Sequence, residues 1–174
     1  MAHLLVIESW LGASSVLLPR AIAELGHRFT FLTRDVSHYL AKPPVPGPHT
    51  LLEAERILRS ETNDVPELVS FVERLQPVLG FDGVVTTCDY YLEAAAEAAR
   101  RLRVPGPAPA GVRTARIKHL MRAALDAAGL PSVRHRVVTG WEEAVVGATE
   151  LGYLVVRREA GRSLRRHARH LRTS

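Results

Sequence analysis

Short apolar runs of strand length alternate with stretches of helical period along most of the chain. Residues 3–8 (HLLVIE) are an apolar run that fits a buried strand, and after the small residues Gly12, Ala13 and Ser14 the stretch SVLLPRAIAELGH repeats Leu17, Leu18, Ile22 and Leu25 at helical spacing. Gly26 is placed to stop that helix, and RFTFLTR then supplies β-branched and aromatic residues for a second strand. Strand, helix and strand in this order predict a βαβ unit with parallel strands.

Residues 41–49 (AKPPVPGPH) hold four prolines and a glycine and read as a loop. Beyond them ERILRSE predicts a strand and DVPELVSFVERLQ a helix, with Asp64 as N-cap, Pro66 in the first turn and Leu68, Val69, Val72 and Leu75 on one face. GVVTTC (83–88) predicts the next strand, and DYYLEAAAEAARRL a helix with Asp89 near its positive end. This order is that of an open doubly wound α/β sheet.

A second proline-rich connection, 104–111, precedes a change of pattern. VRTARIKHLMRAALDAAGLP predicts one long amphipathic helix that buries Ile117, Leu120, Met121, Ala124 and Leu125 and is closed by Gly129 and Pro131. SVRHRVVT then predicts a strand, GWEEAVVGATELG a helix with Val145 and Val146 inside, and YLVVR a last strand. A packed lobe of this size is marginal by itself.

Charge changes the picture at one end only. The net charge is +5 and the pI near 10.0, but residues 157–174 carry seven arginines against Glu159, a local balance of +6 that leaves residues 1–156 at −1. Any argument from basicity therefore concerns an 18-residue tail. The single cysteine, Cys88, excludes an internal disulfide, and no Cys/His spacing predicts a structural zinc. No apolar run reaches the roughly 18 residues that span a bilayer, and the first residues lack the basic start of a signal peptide, which predicts a cytoplasmic protein with no membrane partner.

Candidate chemistry is sparse. The loop ESWLGASS fits neither a GxGxxG nor a GxxxxGK[ST] pattern, although it follows the first strand where doubly wound sheets bind ligands. Asp89 and Tyr90 belong to the same edge, where Asp89 either caps a helix or touches a substrate. Cys88 is either a nucleophile activated by the following helix or a packed small hydrophobe. The histidines show no HExxH or other metal spacing, so no metal is assigned to them. Lys118 is one of two lysines beside 21 arginines, and a lysine kept where arginine is the default suits a compact phosphate-binding charge.

The run RTARIKHLMRAALDAAGLPSVRHRVVTGWEEAVVGATELGYLVV resembles the ATP-grasp superfamily of ligases. Lys118, Ala128 to Pro131, Leu151 to Tyr153 and Leu154 to Arg157 match, in order, that family's helix lysine, AGLP step, LGYP step and following strand. The preceding region, HLLVIES through TTCDYYLEAAAEAARRLRVPGP, is similar to the pre-ATP-grasp domain. The resemblance implies a Rossmann-like parallel sheet over 1–107 and a partial α+β ATP-grasp lobe over 108–158; beyond it, 159–174 is an Arg-rich tail by composition, disordered or an extra helix. It also implies an ATP-dependent carboxylate ligase that works through an acyl phosphate, with ATP and Mg2+ as cofactors and a small carboxylate and an amine as substrates. By the resemblance Lys118 and Arg158 would contact the nucleotide phosphates, while Asp89 is the substrate-binding candidate from its place at the sheet edge. Arg158 stands where the family has a lysine, and Glu159 where it often has a proline. Only Gly161 and Ser163 echo the glycine-rich flap, and the adenine hinge and the magnesium-binding acids have no counterpart, so a truncated form with little or no activity alone is expected.

Three readings of the tail follow from its composition: a nucleic-acid arm without stacking aromatics, a solvated helix, or a departure from the ancestral reading frame near Arg157. The abrupt composition jump favours the third. Two other function classes stay open beside the ligase: a non-catalytic binding module that can homodimerise through the sheet domain, and a basic-tailed nucleic-acid binder.

Overall fold

The computed structural model describes residues 1–8, 13–40, 50–152, 155 and 156. It divides into two compact units, Met1–Val112 and a second beginning at Arg113. Four parallel strands make up the sheet of the first unit: β1 (His3–Ile7), β2 (Arg28–Thr33), β3 (Arg56–Arg59) and β4 (Gly83–Val85), in the order β3-β2-β1-β4. Register is fixed by pairs such as Leu5 with Thr30, Leu5 with Val84 and Phe31 with Ile57.

Both faces of the sheet are covered, which explains why β1 and β2 read as nearly continuous apolar runs. On one face Leu5, Ile7, Leu32 and Val84 meet Leu68, Val69 and Val72 of α3 (Val65–Leu79) and Ala94, Ala95, Ala98 and Ala99 of α4 (Leu92–Leu102). On the other, Val6, Phe29 and Phe31 meet Ile22 of α1 (Ala13–Glu24), Tyr39 of α2 (Val36–Leu40) and Leu51 of a short 3-10 turn, Thr50–Glu53. Helix α3 starts as its sequence dictates: the Asp64 carboxylate accepts from the Glu67 N–H at 3.0 Å, and Pro66 sits in the first turn.

Two features tighten the amino end of the sheet. His3 is buried, with Nδ1 2.9 Å from the Leu79 carbonyl and Nε2 2.8 Å from Thr30 Oγ1, while its N–H donates to Asp82 at 2.7 Å. A carbonyl only accepts, so Nδ1 carries the proton and, in the neutral ring, Nε2 accepts from the threonine hydroxyl. The connection after α4 lies against β4, where the Val84 N–H donates to the Pro105 carbonyl at 2.9 Å. Gly106 makes this approach feasible, because a Cβ there would stand 2.4 Å from Ala99 Cβ and 3.2 Å from the Val84 carbonyl oxygen.

The second unit departs from the sequence-based expectation. The expected single long helix is two: α5 (Pro109–Arg116) and α6 (Lys118–Ala127), separated by Ile117 in extended backbone at φ −89 and ψ 105. Ala124 is exposed, and Ile117, Leu120, Met121 and Leu125 are only half-buried. Gly129 does close α6: at φ +66 it lets the Leu130 N–H reach the Leu125 carbonyl and its own N–H reach that of Asp126. Residues 132–139 form no strand, although their composition predicts one, since a strand needs a ladder partner and none is present among the described residues. Helix α7 (Trp141–Leu151) forms as expected but buries Gly147 and Ala148, leaving Val145 and Val146 exposed. Likewise, Leu17 of α1 and Leu25 in the turn after it are exposed, and Val16, Pro19 and Ile22 are buried. The proline-rich loop 41–49, Leu154, Arg157, Arg158 and the tail lie outside the described residues.

Gly106→Ala should cost the first unit about 1–3 kcal/mol of stability, because the added methyl meets packed Ala99 and backbone rather than a flexible side-chain end. Urea denaturation followed by circular dichroism measures it, and an unchanged midpoint would contradict the close packing described.

Candidate functional site at the carboxyl edge of the sheet

Parallel strands bring their carboxyl ends to one edge, where open α/β sheets bind ligands. Here that edge carries Glu8 after β1, Thr33 and Arg34 at the end of β2, Arg59 at the end of β3 with Ser60 to Asn63 after it, and Cys88 to Tyr91 after β4. Glu8 is the centre. It is 4% exposed and adopts φ +48, a left-handed conformation that few side chains other than glycine take without strain.

Its carboxylate is saturated. Oε1 accepts from the Arg34 N–H at 2.9 Å and from the Thr62 hydroxyl at 2.7 Å; Oε2 accepts from the Thr33 hydroxyl at 2.9 Å and from the Tyr39 hydroxyl. One side chain thus joins β1, β2, α2 and the segment before α3. The Arg59 guanidinium donates through Nε to the Arg34 carbonyl at 3.1 Å, and Arg34 lies 3.8 Å from Glu61. The edge of β2 and β3 therefore presents two partly solvated guanidinium groups, held by backbone and carboxylate contacts.

Tyr91 is half-buried beside this cluster, and its hydroxyl donates to Asn63 Oδ1 at 3.3 Å. Burial, and after it the negative charge of Glu8, raise its phenol above the ordinary value of 10.0. Asp35 caps the short helix α2 instead: Ser37 donates to it from both Oγ, at 2.5 Å, and N–H, at 3.0 Å, and these bonds lower its carboxyl.

The residues singled out from sequence fall in different places. Asp89 lies at this edge and is exposed, but it does not cap α4: it opens a single 3-10 turn, Asp89–Tyr91, and α4 begins at Leu92 with no side-chain cap. Cys88 is 8% exposed and free, packed as a small hydrophobe. Lys118 is exposed at the first position of α6 in the second unit, and Arg158 lies outside the described residues. Sequence reasoning missed the Glu8 cluster. Its one visible signal is an acid that ends a buried apolar strand at the ligand-binding edge; Thr33, Tyr39 and Thr62 carry none, because only the fold brings them together.

A family model described as the ATP-grasp N-terminal domain matches residues 20–106, half of the chain. The chain belongs to the ATP-grasp family. Alanine–anticapsin ligase of Bacillus amyloliquefaciens is 29% identical over 94 residues, which are 53% of this chain and 20% of that protein. The fold is shared with L-amino acid ligase from Bacillus licheniformis, at a TM-score of 0.61 and 22% identity over 89% of this chain and 35% of that one. It is shared as well with N5-carboxyaminoimidazole ribonucleotide synthetase from Thermotoga maritima, at a TM-score of 0.65 and 15% identity over 90% and 38%. The chain thus spans between a fifth and two-fifths of the length of these ATP-grasp relatives.

Replacing Glu8 by alanine leaves four donors without their acceptor and should destabilise the first unit by at least about 2 kcal/mol; thermal unfolding reads this as a fall of roughly 8 °C or more. The Tyr91 phenol supplies a second check. It should titrate above its ordinary value and move back toward it in Glu8→Gln, as ultraviolet difference spectra against Tyr91→Phe would record. A phenol raised in the folded state stabilises while protonated, so its contribution should be lost as pH rises from 10.0 through the raised value.

Proposed function

We propose that this chain serves ATP-dependent ligation of a carboxylate to an amine. Residues 1–107 are the sheet domain that precedes the nucleotide lobe and 108–158 the opening of that lobe. The observation that carries this reading is the ATP-grasp N-terminal match over residues 20–106, joined to a parallel sheet of the order β3-β2-β1-β4. In this chemistry a carboxylate oxygen attacks the terminal phosphorus of ATP and ADP leaves; the amine nitrogen then attacks the acyl carbon and phosphate leaves. In this reading Lys118 and Arg158 meet the nucleotide phosphates, and Asp89 meets a cationic group of the substrate.

Among the described residues, no group of three or more His, Cys, Asp or Glu side chains can hold a metal ion. They do not fit a Mg2+ site, so they hold no metal ion to neutralise charge on a transferring phosphate. Phosphoryl transfer depends on such charge neutralisation. The 174 residues by themselves are accordingly proposed to bind nucleotide weakly and to carry out little or no ligation. A cytoplasmic setting is part of the same reading; no helix among the described residues is long and apolar enough to cross a membrane.

Mg-ATP at ten times its dissociation constant should stabilise the chain by about 1.4 kcal/mol, seen as a rise in melting temperature that Lys118→Ala removes. Calorimetry that detects no heat with Mg-ATP, together with an unaltered Lys118→Ala variant, would reduce the family relation to ancestry and leave a non-catalytic binding module.

A further inference from the structure

We propose that the outward face of α1 is a docking surface for a second copy of this chain, paired antiparallel about a two-fold axis. Helix α1 packs on the sheet through Val16, Pro19 and Ile22. Its opposite side is a single stripe of exposed residues, Leu17, Arg20, Ala21 and Glu24, which Leu25 extends from the turn after the helix, its N–H still bonded to the Ala21 carbonyl. Leu17 is 60% and Leu25 72% exposed, and the 3-10 turn packed beside α1 adds Leu52, also 72% exposed. A solvated helix face carries polar side chains at such positions, and this one has leucines at both ends with alanine between them.

Charge order selects the partner. Arg20 and Glu24 lie one turn apart on the same flank of the stripe. A two-fold axis that reverses the helix direction brings like flanks together, so Arg20 of one copy meets Glu24 of the other, twice. Centred at Ala21, the same operation sets Leu17 against the partner's Leu25 and Ala21 against the partner's Ala21, where the small side chain allows the helices to approach, and it leaves Arg20 and the partner's Glu24 about 3 Å out of level along the axis, a gap that these long side chains span. A parallel pairing gives up both charge matches. The open edge strand β3 is a poorer surface: it is only four residues long and carries an arginine at each end, a charged edge that resists pairing with another strand. At the other edge, the Val84 N–H is already taken by the Pro105 carbonyl.

A stripe of little more than two helical turns falls short of the roughly 800 Å² per partner found in stable complexes, so the dimer should be weak and concentration-dependent. Sedimentation equilibrium on the full chain should show a mass rising from 19.2 kDa toward twice that value with concentration. Leu17→Glu with Leu25→Glu should abolish the rise; both positions are exposed, and an unchanged melting temperature verifies the fold. Arg20→Glu and Glu24→Arg should each weaken association about fivefold to tenfold, as expected when two exposed charge pairs turn repulsive. The double exchange should restore it. A mass fixed at 19.2 kDa at every concentration overturns the proposal. So does a dimer indifferent to the leucine variants, or a double exchange that fails to restore association.

Discussion

A single buried carboxylate governs the carboxyl edge of this protein. Burying Glu8 at φ +48 costs both desolvation and backbone strain, of order 1–3 kcal/mol for the strain alone. The four donors that converge on it offset that cost. They come from β2, from α2 and from the segment between β3 and α3, so the carboxylate is satisfied only when all of these are in place. The conformations of the chain after β1, β2 and β3 thereby become one coupled arrangement. The same negative charge reaches Tyr91 after β4, so the influence of one residue extends across all four strand ends.

The amino edge is pinned by different chemistry to the same effect. His3 ties β1 to β2 through Thr30 and to the end of α3 through the Leu79 carbonyl, with Phe81 stacked at a tilt 5.0 Å away. Between these two polar clamps the strands are held by apolar packing on both faces, and alanines on α4 let that helix lie close to β4. Rigid strands with polar anchors at either end suit a sheet that must present loops at one edge in a fixed geometry.

The four strands and the helices α1, α3 and α4 of the first unit were legible because each has a local signature, whereas α2 and the 3-10 turn Thr50–Glu53 are too short to carry one. The Asp64 cap, Pro66 and the spacing of Leu68, Val69 and Val72 all specify the same helix, α3, and the apolar runs of β1 and β2 specify strands covered on both faces. Burial direction in α1 was not legible, since leucines stand on both of its sides and only the position of the sheet selects Val16 and Ile22. The expected strand over 132–139 shows another limit: β-branched composition describes a surface that fits a ladder, not the ladder itself. Pattern also concealed the break at Ile117, because the apolar spacing runs through it while the backbone turns extended. The Glu8 cluster was beyond reach for a topological reason. Its other members lie 25 to 54 residues from Glu8, and single threonines and tyrosines carry no period.

The break at Ile117 bears on the choice of lysine at 118. It starts a new helix at Lys118, whose first turn contains no acidic residue, so a cation stands at the positive end of a helix dipole. That combination is unfavourable by about 0.3–1 kcal/mol when left to water. It becomes favourable when an anion is present, because free N–H groups, dipole and ammonium then act on the same charge. In an uninterrupted helix Lys118 would be an interior position with its N–H already bonded, and the side chain would act alone. The interruption therefore sets backbone dipole and side-chain charge to act together on any anion at the start of α6, a property that does not depend on the family match, which ends at residue 106.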